Sequence, residues 1–454
     1  MLQRYFDAGL AQASYLVASD RTREAIVIDP RRDVDVYLAA AQQHRLTISA
    51  AIETHVHADF VSGARELAVA GVRTIAGPGA GLKFPAQEVR DNERLVIGDL
   101  DLRFLHTPGH TPEHISIVAS HAGEPRRLFT GDTLFVGAVG RPDLLGDDLM
   151  RQLAGDLHQS LFEKLLVLPD DVEIHPGHGA GSLCGAGIGA EPFSTIGRER
   201  RSNRMLTFAS RDEFVAAVLA DLPDTPPYFA RMKRVNQEGP ALRGFATGLG
   251  DLPRLSVQQA SAAVAAGAIL LDLRNADAFC EAHPAGAVHI AFGSKVGYWA
   301  GWVLPPDVPI VLLAESAREA AEAHRQLLRV GFEDVAGVVD GGIAVWRGAN
   351  LDVSAISRIT ADDLRRRLER GEATTILDVR TTHEWEAGHV EGAIHLPIGE
   401  VASHARAFAS RPMVATMCEG GTRSLLAASL LARAGLSNVV NVTGGMSAYR
   451  SLSR

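Results

Sequence analysis

Residues 54–60 read THVHADF, and this stretch decides what fold the first half of the chain has to build. Three residues of metal-ligand type, His55, His57 and Asp59, fall at alternate positions after the β-rich run TISAAIET (47–54). Side chains two apart on an extended strand point to one side, so both histidines can approach a single ion. Asp59 then opens DFVSGARELAVAG, whose apolar spacing predicts a helix. The next letter is Phe60, an aromatic hydrocarbon with no lone pair where a further ligand would extend the series. An HxH pair alone is weak, because histidines are often satisfied by ordinary neighbours. Further ligand types recur, however, at the ends of other β-rich runs: His110 in HTPGHTPEH, Asp132 in LFTGDT and His178 in EIHPGHG. Their recurrence points to one metal-binding edge.

Composition narrows the classes. At 454 residues the chain is too long for one core and suggests two to four domains. Its net charge of -9 argues against a nucleic-acid partner, which needs a basic surface. The amino-terminal stretch has no long apolar run of the signal-peptide kind. AAVAAGAILL (262–271), the longest weakly polar segment, is too short to span a bilayer. Three widely separated cysteines, Cys184, Cys280 and Cys418, fit a reducing cytoplasm and individually reactive thiols better than a disulfide framework. A cytoplasmic protein without membrane or nucleic-acid partners is expected.

Three blocks follow along the chain. Residues 1–235 alternate β-rich runs (AIVID, LRFLHT, HISIVAS) with helical stretches such as RQLAGDLHQSLFEKLLVL, an α/β pattern. PDTPPYFARMKRVNQEGP (223–240) reads as the exit from this domain, and 236–255 as a linker. The rest is an internal repeat. ILLDLRNADAFCEAHPAGAVHIAF (269–292) matches TILDVRTTHEWEAGHVEGAIHLPI (375–398), pairing Asp272 with Asp378, Arg274 with Arg380, His283 with His389 and His289 with His395. VVDGGIAVWR (338–347) likewise matches NVTGGMSAYR (441–450). Each copy, 256–350 and 356–454, reads as a small doubly wound α/β sheet.

The second copy carries a nucleophile. VATMCEGGTRSLLAASLLARAGL runs strand, turn, helix, with Cys418 at the turn and Glu419, Gly420, Gly421, Thr422 and Arg423 completing the loop. Glycines let backbone N–H groups curl toward one point, and the next helix presents its positive end there. Such a cradle favours a thiolate, so Cys418 is expected to be nucleophilic. A CxxxxxR phosphatase loop is the runner-up, but only four residues separate Cys418 from Arg423, and Glu419 opposes a phosphate. In the first copy, IVLLAESAREAAEAH (310–324), Ala314 replaces the cysteine, the glycines are gone and Arg318 falls one residue early. That copy is expected to be an inactive spacer or docking module. Cys280 aligns with Glu386, on a helix, and reads as structural.

With these motifs in hand, the first block resembles the metallo-β-lactamase fold, whose HxHxDH, later His, bridging Asp and final His line the edge of an αββα sandwich. Asp59-Phe60 stands where dinuclear members have Asp-His, so the resemblance favours one ion. THVHADFVSG, HTPGHTPEHIS, LFTGDTLFVGAVGRPDL and HPGHGAGSLCG are similar to the persulfide dioxygenases of that superfamily. The resemblance implies one Fe(2+) per chain on His55, His110 and Asp132, with His57, Asp59 and His178 orienting ligands and water. Two His and one carboxylate suit non-haem Fe(II), although Zn accepts the same set. Cys184 is either an apolar filler or a thiol that relays sulfur, and Arg141 in GRPD either a substrate-carboxylate contact or a salt-bridged loop anchor. The second repeat resembles a rhodanese domain in DVR, GHVEGAIH, CEGGTR and VTGGMSAY, which implies catalysis by Cys418 and Arg423.

The expected whole is an α/β multi-domain chain: a metallo-β-lactamase sandwich followed by two rhodanese-like domains. The implied function is oxidation of a small-thiol persulfide (glutathione or coenzyme A type) with O₂ to sulfite, and exchange of sulfane sulfur with thiosulfate. Relatives imply a homo-oligomer. The rivals are a Zn thioester hydrolase of glyoxalase II type with an appended sulfurtransferase, and a non-catalytic persulfide carrier.

Overall fold

The computed structural model describes residues 1–208, 210–220, 222–245 and 249–452. Residues 246–248 of the expected linker and 453–454 of the expected last domain lie outside the described residues. The chain divides into two compact units, Met1–Gly250 with Leu328–Gly331, and Asp251–Leu327 with Phe332–Arg454.

The first unit holds two six-stranded sheets, each with its strands in chain order. Leu2–Asp7, Gln12–Ala18, Glu24–Ile28, Thr47–Ile52, Arg73–Ala76 and Gln87–Glu88 form one. Arg94–Ile97, Leu100–His106, Ile115–His121, Glu124–Gly131, Glu173–Pro176 and Ser194–Thr195 form the other. Gln12–Ala18 is buried along its whole length because both faces are covered. Its alternate residues Tyr15 and Val17 pack with Ile26, Ile28 and Ile52 against Phe104, Ile117 and Phe129 of the second sheet. Leu16 and Ala18 point the other way, onto Tyr37 and Leu67 of the helices Asp35–His44 and Ala64–Val69. On the far side Leu105, Val118 and Leu128 meet Leu157 and Phe214 of helices Asp147–Gln159 and Arg211–Ala220. Each such buried Leu, Ile or Phe contributes about 1.5–3 kcal/mol. The result is the expected αββα layering.

Two local expectations fail. The strand at the opening motif ends at Ile52, not Thr54, and the helix starts at Ala64, not Asp59. Between them the backbone is irregular because a distant side chain takes its hydrogen bonds. Asn236 Nδ2 donates to the carbonyls of His57 (2.8 Å) and Phe60 (2.7 Å), and its Oδ1 accepts from Ser62 N (2.9 Å). Asn236 sits on the helix Phe229–Glu238, which runs through the segment that reads as a domain exit.

The second unit contains two five-stranded parallel sheets of identical order. The first runs Arg254–Leu255, Val335–Val339, Ile310–Leu313, Ile269–Asp272, Val288–His289 across the sheet. The second runs Ser357–Thr360, Val439–Thr443, Val414–Met417, Thr375–Asp378, Ile394–His395. The repeated letters are mostly scaffold. Arg274 pairs with Asp272 and caps Ala282 O (2.9 Å), as Arg380 pairs with Asp378 and caps Gly388 O (2.8 Å). Phe279 stacks on His283 at 3.8 Å, as Trp385 does on His389 at 3.6 Å. The copies meet where His289 N donates to Ser429 Oγ (3.0 Å) and Arg433 Nη1 to Gly286 O (2.9 Å). Among the described residues no helix is long and apolar enough to cross a membrane.

Candidate metal centre and thiol loop

His55, His110 and Asp132, each just past a strand end, bring their ligand atoms within 4.8 Å of one another, and all three are buried. Asp132 Oδ2 lies 3.7 Å from His55 Nε2 and 3.4 Å from His110 Nε2. Both Nε2 atoms are buried without a hydrogen-bond partner. Their neighbours fix the tautomers. His110 Nδ1 faces the Arg141 carbonyl at 2.8 Å, which only accepts, so Nδ1 carries the proton and Nε2 the lone pair. Thr54 Oγ1 donates to Asp29 Oδ2 (2.9 Å), so it accepts from His55 Nδ1 (2.9 Å), and again Nε2 is left with a lone pair. Burial, and then the neighbouring histidines, push the His55 pKa well below its ordinary value. Burial also lowers His110 despite Asp132. Two neutral imidazoles with unpartnered Nε2 lone pairs beside a buried carboxylate fit a metal ion, since leaving those nitrogens buried and unsatisfied is costly.

His57 does not join this group. With the strand ended at Ile52 the two-residue alternation no longer holds, and His57 Nε2 turns to Asp29 Oδ1 (3.2 Å) and Glu53 Oε2 (3.1 Å). Burial alone would lower its pKa, but Asp29 and Glu53 raise it to about 10, so it is an imidazolium at neutral pH. Phe60 packs on its ring, with centroids 4.4 Å apart. His178 bridges two carboxylates, Nδ1 to Asp132 Oδ1 at 2.8 Å and Nε2 to Asp59 Oδ2 at 2.8 Å. Burial opposes its charge, but Asp132, Cys184 and Asp59 hold its pKa well above the ordinary value. It thereby orients Asp132.

Cys184 adds something the sequence did not show. Asp59, His178 and Cys184 form a second buried group whose ligand atoms lie within 4.8 Å of one another, and Asp59 Oδ1 has no partner. The expectation of one ion, drawn from Phe60, does not count this thiol. Burial pushes the Cys184 pKa up to about 12, so without an ion it stays protonated. Arg141 is buried and tied down: Nε and Nη2 donate to Asp143 (2.7 and 2.6 Å), Nη1 to Leu183 O (3.1 Å) and Nη2 also to Thr225 Oγ1 (2.6 Å). That is the geometry of a loop anchor.

Asn236 is the functional-site residue that local spacing missed, 176 positions beyond Phe60. Its stretch, 223–240, reads in the sequence as a domain exit, so no local signal marks it. Asn236→Leu is expected to weaken metal binding by about tenfold or more, as loss of an outer support of a metal site does. A chelator competition titration measures this, with circular dichroism to verify an unchanged fold. Unaltered affinity would mean that the loop is held without it.

In the second repeat the strand Val414–Met417 leads into Cys418, and the helix Thr422–Arg433 follows. Cys418 Sγ accepts from Gly421 N (3.0 Å) and lies 3.5 Å from Ser424 Oγ. Gly421 adopts φ +103°, a conformation open to glycine. Gly445 closes the other side, where an added Cβ would sit 2.1 Å from the Cys418 carbonyl oxygen. Arg423 forms a bidentate pair with Glu384 (2.6 and 2.6 Å). Glu419 pairs with Arg450 (2.8 Å) and Arg380 (3.4 Å), so its charge is compensated and opposes a phosphate less than the sequence suggests. In the first repeat the cysteine position is Ala314, and Cys280 is buried in the helix Ala276–Glu281.

Known proteins match both halves. Residues 8–178 match the metallo-beta-lactamase superfamily, and residues 256–349 and 360–452 each match the rhodanese-like domain. The chain is 34% identical to a metallo-beta-lactamase from Staphylococcus aureus subsp. aureus COL, over 74% of this chain and 98% of that one, with a TM-score of 0.66. It is 32% identical to the uncharacterized protein ML0493 of Mycobacterium leprae, over 42% of this chain and 98% of that protein. It is also 32% identical to the cytoplasmic hydroxyacylglutathione hydrolase of Arabidopsis thaliana, over 36% of this chain and 62% of that enzyme.

Proposed function

We propose that this chain, which belongs to the metallo-beta-lactamase superfamily and carries two rhodanese-like domains, is a non-haem iron persulfide dioxygenase joined to a sulfurtransferase. The dioxygenase half converts a low-molecular-weight persulfide, of glutathione or coenzyme A type, by RSSH + O₂ + H₂O → RSH + SO₃²⁻ + 2H⁺. The observation that carries the reading is the pair of tautomer-fixed, unpartnered Nε2 lone pairs of His55 and His110 beside Asp132. Two neutral nitrogens and one carboxylate are the donor set that suits Fe(II) with positions left for substrate and O₂. Iron held there would supply the oxygen activation. The chain's own groups do the positioning: Thr54 and the Arg141 carbonyl fix the two imidazoles, and His178 keeps its proton between Asp132 and Asp59. In the other half Cys418 holds the sulfane sulfur as Cys–S–SH and exchanges it with sulfite or thiosulfate.

A second reading has its own support. The Asp59–His178–Cys184 group offers donors for a second ion, which would suit a Zn thioester hydrolase like the hydroxyacylglutathione hydrolases. Metal quantitation with an oxygen-electrode assay on glutathione persulfide decides between them. Near one iron per chain and persulfide-dependent O₂ uptake are expected. Zinc without O₂ uptake sinks the dioxygenase and favours the hydrolase, and no turnover of either kind leaves a persulfide carrier.

A further inference from the structure

We infer that the cysteine-free repeat supplies the anion-binding wall of the Cys418 site, and that Lys295 holds the oxyanion end of sulfite or thiosulfate. The inference rests on the sulfurtransferase reading of Cys418. A cavity beside the thiol loop is lined by both repeats: residues 289–295 and Trp299 from the first, Thr422, Arg423 and Leu426 from the second. None of the lining residues is acidic.

The charges of the loop itself are already matched. Arg423 is paired with Glu384, Arg380 with Asp378 and Glu419, and Arg450 with Glu419. Lys295 differs. It is exposed, its Nζ lies 5.4 Å from the centre of the Tyr298 ring, and no carboxylate pairs with it among the described residues. Burial works against the charge of Arg423, but Glu384, Cys418 and Tyr298 together raise its pKa. Lys295 and Trp299 line the same cavity as Thr422 and Arg423 of the thiol loop.

The chemistry needs such a cation. Sulfite attacks the outer sulfur of Cys418–S–SH with its sulfur lone pair, forming one S–S bond. The Sγ–S bond breaks, its electron pair returns to Cys418 Sγ, the persulfide proton passes to solvent, and thiosulfate departs. Thiosulfate as donor runs the same exchange backwards. In either direction a dianion must approach a sulfur that is or becomes anionic, and its oxygens lie away from the reacting atom. Lys295 offsets that charge, and Phe292 and Trp299 line the same cavity.

The test uses the full-length protein and sulfite, which does not react with the reduced thiol. Iodoacetamide alkylation of Cys418, read by peptide mass spectrometry, is titrated with sulfite. Lys295→Ala is expected to raise the half-protecting sulfite concentration, and the KM for thiosulfate in sulfur transfer to cyanide, by about tenfold. Its kcat and its alkylation rate without sulfite stay within about twofold of wild type, and Lys295→Arg restores both constants. Unchanged half-protection and KM overturn the proposal, as does an equal loss of alkylation without sulfite, which would report a disturbed loop. If the wild type transfers no sulfur while sulfite still protects Cys418 through Lys295, the wall stands and the sulfurtransferase reading falls.

Discussion

Cys418→Ser will abolish sulfane-sulfur transfer, by about a thousandfold or more, while metal content and persulfide-dependent O₂ uptake stay at the wild-type level. The serine hydroxyl is nearly the size of the thiol and can keep the bond from Gly421 N that Sγ accepts at 3.0 Å. The loop is also held by contacts outside the substituted atom: Met446 N to Cys418 O at 2.8 Å, Ser447 N to Glu419 O at 3.0 Å, and the Arg423–Glu384 pair. A change in fold is therefore not expected to mask the loss of chemistry. What disappears is the thiol proposed to accept a sulfane atom, because a hydroxyl neither ionises near neutral pH nor forms a persulfide. Thiosulfate-to-cyanide transfer measures the effect. Cys280 offers no substitute, being buried on the helix Ala276–Glu281, and burial raises its pKa. Retained transfer in the variant would move the sulfur-carrying role elsewhere in the chain.

The contrast between what the sequence shows and what it hides follows contact range. The CEGGTR loop is legible because its geometry is made by consecutive residues, with Gly421 at the positive φ that its letter allows. The repeat is legible because the Asp–Arg pairs and aromatic–His stacks recur at short spacing in both copies. The donors His55, His110 and Asp132 are legible as ligand types at strand ends, but their grouping comes from the resemblance rather than from spacing. Spacing in fact misleads at His57, where the strand stops at Ile52 and the ring pairs with Asp29 and Glu53. Asn236, and the grouping of Cys184 with Asp59 and His178, escape for the same reason. Each reaches the opening motif only once the chain has folded back: Asn236 onto the carbonyls of His57 and Phe60, Cys184 into a group with Asp59 and His178. The bidentate Arg423–Glu384 pair spans 39 positions and likewise leaves no local trace.

Asp132→Asn is the sharpest test of the metal centre, because it removes charge while keeping shape. The carboxylate is fully buried, with His178 on one side and the His55 and His110 rings on the other. Burial by itself would raise its pKa, but His178 and then His110 push it well below the carboxylate range, so it is an anion throughout the working pH. An asparagine amide offers an ion a neutral oxygen and leaves the His178 imidazolium with one carboxylate, Asp59, instead of two. Bound iron is expected to fall by about a hundredfold in affinity or more, taking outer-sphere losses of 10–100-fold as a lower bound. O₂ uptake with persulfide should fall to background, and Cys418 should still transfer sulfur. A second readout does not depend on turnover. A ligand that binds only the folded state raises thermal stability in proportion to its saturation, so added Fe(II) should raise the wild-type Tm and leave that of the variant unchanged. If Asp132→Asn bound iron as tightly as wild type, the orphaned Nε2 atoms of His55 and His110 would need another explanation. The Asp59–His178–Cys184 group would then become the primary metal site.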